Sequence, residues 1–213
     1  MVGTEDERVV LVADDGSVLG TAPKATVHGP QTPLHLGFSC YVFDADDNLL
    51  VTRRALDKRT FPGVWTNSFC GHPAPGEPLP YAVRRRAADE LGLEVGEPRL
   101  VLPGFRYRAE MAGVVELELC PVLAVHVDRE EPLRPRADEV AEWAWEPWDD
   151  VVSSIAGGRE VSVWCREQVA HLEALGAPST WPDASTDLLP AALQPPRVAP
   201  PTDNVGQLLD HWG

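Results

Sequence analysis

Residues 71–93 read GHPAPGEPLPYAVRRRAADELGL, and their reading decides the fold. A Pro/Gly-rich loop runs into a segment where Ala82, Val83, Ala87 and Leu91 fall at helical spacing, and Gly92 ends it. The polar residues hold a fixed spacing around that helix. Gly71 is followed after five residues by Glu77, after seven more by Arg85, and then by Asp89 and Glu90. Taken alone, the pattern also describes an ordinary amphipathic helix with a solvated charged face.

The flanking sequence is mostly strand-like. RVVLVADDGSVLGTAP (8–23) reads as two strands around a turn at Asp14, Asp15 and Gly16, and HLGFSCYVFDADDNLLVTRRA (35–55) repeats that plan around Asp46, Asp47 and Asn48. VVELELCPVLAVHV (114–127) reads as one strand passing through a core. DEVAEWAWEPWDDVV (138–152) reads as a strand running into a turn, and VSVWCREQVAHLEAL (161–175) as a closing helix. Strands outnumber helices, which predicts an α/β fold with one mixed sheet covered by helices. After Gly176 the composition shifts. Residues 177–213 carry seven prolines and then NVGQLLDHWG (204–213), an extended tail with a candidate docking helix. The expected division is a catalytic domain over 1–176 and a tail over 177–213.

A chain of 213 residues, 44% apolar, is long enough for one sizeable core. Its formal net charge of −15 argues against a nucleic-acid partner. Positive charge is nevertheless clustered, at Arg53, Arg54, Lys58 and Arg59, at Arg84, Arg85 and Arg86, and at Arg106 and Arg108. That distribution suits a small anionic substrate. The four cysteines, Cys40, Cys70, Cys120 and Cys165, form no CxxC pair, which reads as reduced thiols in a cytoplasm. No apolar run is long enough for a membrane span, and a monomer is expected, with contacts through the tail.

TNSFCGHP (66–73) puts Cys70 two positions before His72. From the residues alone, Cys70 is a buried filler, half of a disulfide, a metal ligand or a reactive thiol. His28 and His35 stand seven apart in a Pro-containing segment. Glu116 and Glu118, at i and i+2 of a strand, share one face. Three imidazoles and two carboxylates suit a divalent transition metal such as Zn²⁺, Mn²⁺ or Fe²⁺.

The 71–93 stretch resembles the Nudix box, which sets carboxylates against a metal–diphosphate, except that Arg86 stands where a second acidic residue is usual. Such a site could grip a diphosphate without splitting it. HLGFSCYVFD (35–44), LLVTRRALDKRTFPGVWTNSFCGHP (49–73), FRYRAE (105–110) and VVELELCPV (114–122) together resemble type I isopentenyl-diphosphate isomerase, a Nudix-superfamily family, over residues 8–172. Arg86 is expected in that family.

The resemblance implies a Nudix-like α/β/α sandwich with a mixed central β-sheet. It implies interconversion of isopentenyl and dimethylallyl diphosphate by a 1,3-proton shift. Cys70 and Glu118 would be the acid–base pair, acting from opposite faces of the alkene, with Tyr107 hydrogen-bonded to Glu118. His28, His35, His72, Glu116 and Glu118 would hold one metal, Mn²⁺ or Zn²⁺. Glu90 and the Cys70 carbonyl would hold a Mg²⁺ that also meets the diphosphate. Lys24, Arg54, Lys58 and Arg86 would bind the diphosphate, and Trp164 would cover the hydrocarbon, with Trp65 a second aromatic wall against the cation. Three alternatives stand beside this reading. One is a Nudix hydrolase of a nucleoside or prenyl diphosphate. Another is a related enzyme protonating a different prenyl diphosphate. The last is a silent binding module that docks through residues 204–213.

Overall fold

The computed structural model describes residues 7–194, so the candidate docking helix at 204–213 lies outside the described residues. β1 (Arg8–Val12) and β2 (Val18–Pro23) form the first hairpin, and one helical turn, α1 (Lys24–Val27), follows. β3 (His35–Leu36) and β4 (Phe38–Phe43) are separated by Gly37 alone, and β5 (Asn48–Arg54) returns beside β4. Two short strands, β6 (Trp65–Thr66) and β7 (Phe69–Gly71), lead into α2 (Leu79–Leu91). The rest is β8 (Arg99–Leu102), β9 (Arg106–Met111), β10 (Val114–Leu119), β11 (Val122–His126), β12 (Val140–Pro147), α3 (Trp148–Ala156) and α4 (Val163–Glu173).

These strands form two sheets rather than the single sheet expected. One has the order β2-β1-β3-β10-β9. The other runs β12-β5-β4-β11-β8, with β6 paired to β5 and β7 to β4. The stretch 114–127, read as one strand, is two, because Pro121 has no N–H to continue the ladder. β3 and β10 pair in parallel in the first sheet, at His35 with Glu118, and β4 and β11 pair in parallel in the second, at Ser39 with Val122. The two segments, β3–β4 and β10–β11, thus cross between sheets side by side, Gly37 N–H donating to the Leu119 carbonyl at 2.9 Å and Ser39 N–H to that of Pro121 at 3.0 Å. This double crossing seats His35, Glu118 and Ser39 at the junction.

All six residues of β4 are buried, which explains its unbroken apolar run. Alternation sends Phe38, Cys40 and Val42 to the α2 side with Ala82, Val83, Ala87 and Leu91. Tyr41 and Phe43 go to the opposite side with Trp148, Trp164 and Leu172 of α3 and α4. Helices therefore cover both faces of the second sheet. The turn expected after β12 is the helix α3. Trp148, Val151 and Ile155 form its buried stripe, and Asp149 and Asp150 favour its N-terminal end.

Residues 177–194, expected to be extended tail, pack against the domain through three 3₁₀ turns. Trp181 is 2% exposed, its ring 5.3 Å from those of both Phe43 and Trp148, and Leu189 is buried with the α2-side core. Prolines removed the periodicity that would have revealed this packing in the sequence, but not the anchoring side chains.

Candidate active site

The 71–93 stretch is held together by its own spacing. Arg85 donates to both carboxylate oxygens of Glu77 at 2.8 Å and to the His72 carbonyl at 3.3 Å, while Glu77 accepts the Ala74 N–H at 2.8 Å. The Glu77–Arg85 clamp therefore fastens the loop to α2. Gly71 is required by close approach: a Cβ there would stand 2.7 Å from Arg86 Cγ and 2.8 Å from Phe38 Cζ. Arg86 and Glu90 lie on the buried face of α2, among its apolar residues, and form a buried ion pair. Neither fits an ordinary solvated charged face.

That face borders a cavity of about 360 Å³. Its wall includes Cys70, His72, Tyr107, Glu116, Glu118 and Trp164, and also Lys24, Arg54, Lys58, Arg86, Glu90 and His28. Every site residue named from the sequence except His35 and Trp65 lines it, and His35 Nε2 stands 3.5 Å from Glu118 Oε1. A roomier cavity of about 980 Å³ has a mostly apolar wall and none of these groups. Size does not mark the chemistry here.

One donor atom each from His28, His35, His72 and Glu118 lies within 4.8 Å of the others. Glu118 Oε1 is 3.1 Å from His72 Nε2 and 3.5 Å from His35 Nε2. His35 Nδ1–H donates to the Pro33 carbonyl at 2.9 Å, which turns Nε2, the nitrogen a metal would take, toward the cluster. His28 Nε2 and His35 Nε2 are buried with no hydrogen-bond partner among the described residues. Orphaned imidazole nitrogens converging on a carboxylate fit a divalent metal ion. Burial pushes His28 down to about 3 and His72 down to about 4, so both are neutral and ready to ligate near pH 7. Burial lowers His35 too, but the nearby Glu118 carboxylate outweighs this and raises it. Glu118 is raised by burial, yet His35 and His72 beside it hold it well below the usual carboxylate range.

Glu116 lies outside that four-residue group. Its Oε2 accepts from the Tyr107 hydroxyl at 3.0 Å, so Tyr107 bonds Glu116 and not, as the resemblance implied, Glu118. Burial first, and then the Glu118 charge, raise Glu116. Trp164 is 1% exposed, with its ring 5.4 Å from Tyr107 and Arg54 stacked 5.7 Å above it. Trp65 does not fill the role expected of it: its ring faces Arg159 at 5.6 Å and is not part of the cavity wall. Burial pushes the Cys70 thiol up to about 12, so it is a neutral S–H. Cys40, Cys120 and Cys165 are buried free thiols, as expected.

Three of the cations at the cavity are paired with carboxylates. Lys24 bonds Glu7 at 2.6 Å, Lys58 pairs with Glu139, and Arg86 pairs with Glu90 and lies 3.6 Å from Glu139. Burial raises Glu139, but Lys58 and Arg86 outweigh it and hold the carboxyl below its usual range. Arg54 instead donates to the Thr60 and Phe61 carbonyls at 2.9–3.2 Å. Sequence reasoning missed Glu139, which looks like any solvated acid in DEVAEW. It also missed Ser39 and Asn67, which touch the Cys70 sulfur. The one available signal was a polar Asn67 inside the otherwise diagnostic TNSFCGHP. At the junction of the sheets, a Cβ on Gly37 would come within 2.7 Å of Glu118 Cδ.

Comparison with known proteins bears on the same residues. The NUDIX domain family matches residues 33–165. The isopentenyl-diphosphate Delta-isomerase of Saccharopolyspora erythraea is 54% identical over 189 residues, 87% of this chain and 96% of that protein. The protein of the same name from Leifsonia xyli subsp. xyli is 59% identical over 153 residues, 70% of this chain and 82% of its own. Among solved structures, DR0079 from Deinococcus radiodurans aligns with a TM-score of 0.60 at 18% identity, covering 78% of this chain and 98% of that one. The MutT protein of Methanosarcina mazei Go1 aligns at 0.55 and 17%, covering 67% and 94%. Those structural likenesses establish the Nudix fold, and the sequence likenesses go further: the chain belongs to the isopentenyl-diphosphate Delta-isomerase family, built on a Nudix domain.

Proposed function

We propose that this protein interconverts isopentenyl diphosphate and dimethylallyl diphosphate, with Cys70 and Glu118 exchanging the two protons. The observation that carries this reading is that a neutral thiol and a carboxylate share one small cavity with five cations, Lys24, Arg54, Lys58, Arg59 and Arg86. One substrate end is a hydrocarbon and the other is a diphosphate, and that wall offers partners for both.

In the forward direction an acid delivers a proton to C4 of the alkene, leaving a tertiary cation at C3. A base then removes a proton from C2, and the electron pair of that C–H bond becomes the C2–C3 double bond. Cys70 and Glu118 carry these two roles, and reversal of the reaction exchanges them. The Trp164 ring, stiffened by Tyr107 and Phe61, offers its face to the cation, an interaction of ~2 kcal/mol or more when water is excluded. Tyr107 keeps Glu116 in place beside Glu118. Arg54 spans the two regions, its guanidinium over Trp164. Lys24, Lys58 and Arg86 hold the diphosphate, and their grip on that remote group orients the alkene. A transition metal such as Mn²⁺ or Zn²⁺ held by His28, His35, His72 and Glu118 would fix and polarise that carboxylate, while Mg²⁺ held by Glu90 and the Cys70 carbonyl would neutralise phosphate charge.

The physiological setting in this reading is a monomer in the cytoplasm supplying isoprenoid synthesis. Among the described residues no helix is long and apolar enough to cross a membrane. The test is incubation with isopentenyl diphosphate and Mg²⁺ in deuterated water. Deuterated dimethylallyl diphosphate is the expected product. Release of inorganic phosphate or pyrophosphate without isomerisation would overturn the reading in favour of a hydrolase.

A further inference from the structure

Cys70 and Trp164 come from distant parts of the chain, yet both hydrogen-bond the same atom. Asn67 Oδ1 accepts from Cys70 Sγ at 3.4 Å, from Trp164 Nε1 at 3.1 Å and from Thr66 Oγ1 at 2.8 Å. Asn67 is 0% exposed. Its amide has only one workable orientation. The NH₂ group donates to the Cys40 carbonyl at 3.1 Å and to the Phe69 carbonyl at 2.8 Å, and both of those atoms can only accept. The face turned toward Cys70 is therefore the amide oxygen.

That assignment directs the thiol proton. Sulfur Sγ of Cys70 has two polar neighbours, Asn67 Oδ1 and Ser39 Oγ, each at 3.4 Å. Asn67 Oδ1 cannot donate, so its contact with the sulfur is a bond only when the S–H points at it. Ser39 Oγ already accepts from Gln168 Nε2 at 2.9 Å, and Gln168 Oε1 accepts from the Tyr41 hydroxyl at 3.0 Å. The Ser39 O–H is then free to donate to a sulfur, that of Cys70 or that of Cys120, also at 3.4 Å. Trp164 Nε1–H has no acceptor other than Asn67 Oδ1 among the described residues. Three donors share an oxygen with two lone pairs, so the strength of each bond depends on the others.

We propose that Asn67 is a positioning residue that locks the Cys70 thiol proton and the Trp164 indole into one frame through its single side-chain oxygen. The proton-exchanging group and the ring facing the substrate cation then keep a fixed separation whatever the surrounding loops do. The functional part of this rests on the isomerase reading above, whereas the shared oxygen does not.

Two experiments separate those parts. The infrared S–H band of Cys70 is isolated in the full-length protein by subtracting the spectrum of Cys70→Ala. In Trp164→Phe, which keeps an aromatic ring but removes the N–H with the pyrrole part of the indole, one competing donor is withdrawn and the Cys70 band should move to lower wavenumber. In Asn67→Ala it should move to higher wavenumber as the acceptor disappears. A Cys70 band that stays put in Trp164→Phe overturns the shared oxygen, whether or not the protein turns out to be an isomerase. In turnover, folded Asn67→Ala should lose on the order of 100-fold in kcat, as for a misplacement near 1 Å, with KM within a few-fold of wild type because the diphosphate grip is remote. A kcat within twofold of wild type, or a loss confined to KM, overturns the positioning role. If Asn67→Ala does not fold, the Trp164→Phe spectrum alone decides the shared oxygen, and the kcat-to-KM split is read in Asn67→Ser. That variant keeps a shorter hydroxyl and should lose kcat in the same direction.

Discussion

On the thiol side of the cavity the buried polar groups are neutral, and each is fixed by several hydrogen bonds. Cys70, Ser39, Asn67, Gln168 and Tyr41 form one connected chain ending at Trp164. On the cation side the groups are charged and paired: Lys24 with Glu7, Lys58 with Glu139, Arg86 with Glu90 and Glu139. The first arrangement suits a group whose proton must leave and return along one line, because neutral networks hold direction at little electrostatic cost. The second suits a site that must receive several negative charges. Leaving Arg86 buried without a counter-ion would cost about 3–5 kcal/mol, so the carboxylates stabilise the cations that, in the proposed function, receive a diphosphate.

The contrast is broken most severely at the proposed proton-exchanging pair. Cys70→Ala or Glu118→Gln should lower kcat by on the order of 10³-fold or more while circular dichroism shows an intact fold. Near-normal turnover in either variant, metal-loaded, would remove that residue from the chemistry. The cation side should respond in affinity. Glu139→Gln takes away the carboxylate that competes for Lys58 and Arg86, so KM should fall a few-fold while kcat holds and the melting temperature drops. A rise in KM would instead show that Glu139 braces the two cations. The smallest effect is in proton count. With His28 at about 3 and His72 at about 4, only His35, raised above its ordinary 6.5, carries a proton that an incoming metal must displace. Calorimetry at pH 6.5 in buffers of different ionisation enthalpy should therefore register more than half a proton, and no more than one, released per ion. Affinity should climb with pH until His35 is neutral and then level off. Release of two or more protons would contradict the neutral state assigned to His28 and His72.

The same contrast explains what the sequence revealed. Cys70, His72, Glu118, Arg86 and Glu90 were legible because they stand in stretches of fixed spacing, where one face of a helix or strand can be counted. Their convergence on one cavity was legible only through the family resemblance. Strand pairing for 114–127 was not, because the alternation continues through Cys120 and only the missing N–H of Pro121 breaks it. Trp65 was misjudged because a tryptophan beside a motif reads the same whether it faces the cavity or stacks on Arg159. The carboxylates opposite the cations escaped notice for a simple reason. In an acidic chain, Glu7 and Glu139 look like solvated surface, and nothing local reports that Lys24, Lys58 and Arg86 fold back onto them. The docking of 177–194 was hidden by prolines, which silence periodicity without preventing Trp181 from filling a place between Phe43 and Trp148.

Gly37 has a consequence for how this chain can drift. Its bare Cα leaves room for the Glu118 carboxyl, and one added carbon would come within 2.7 Å of Cδ. A single-base change turning that codon to alanine would alter no charge, remove no hydrogen-bonding group and replace no residue of the cavity wall. It would nonetheless shove aside the carboxylate that His35 and His72 share. The most conservative replacement available at that codon is thus among those the lineage can least tolerate.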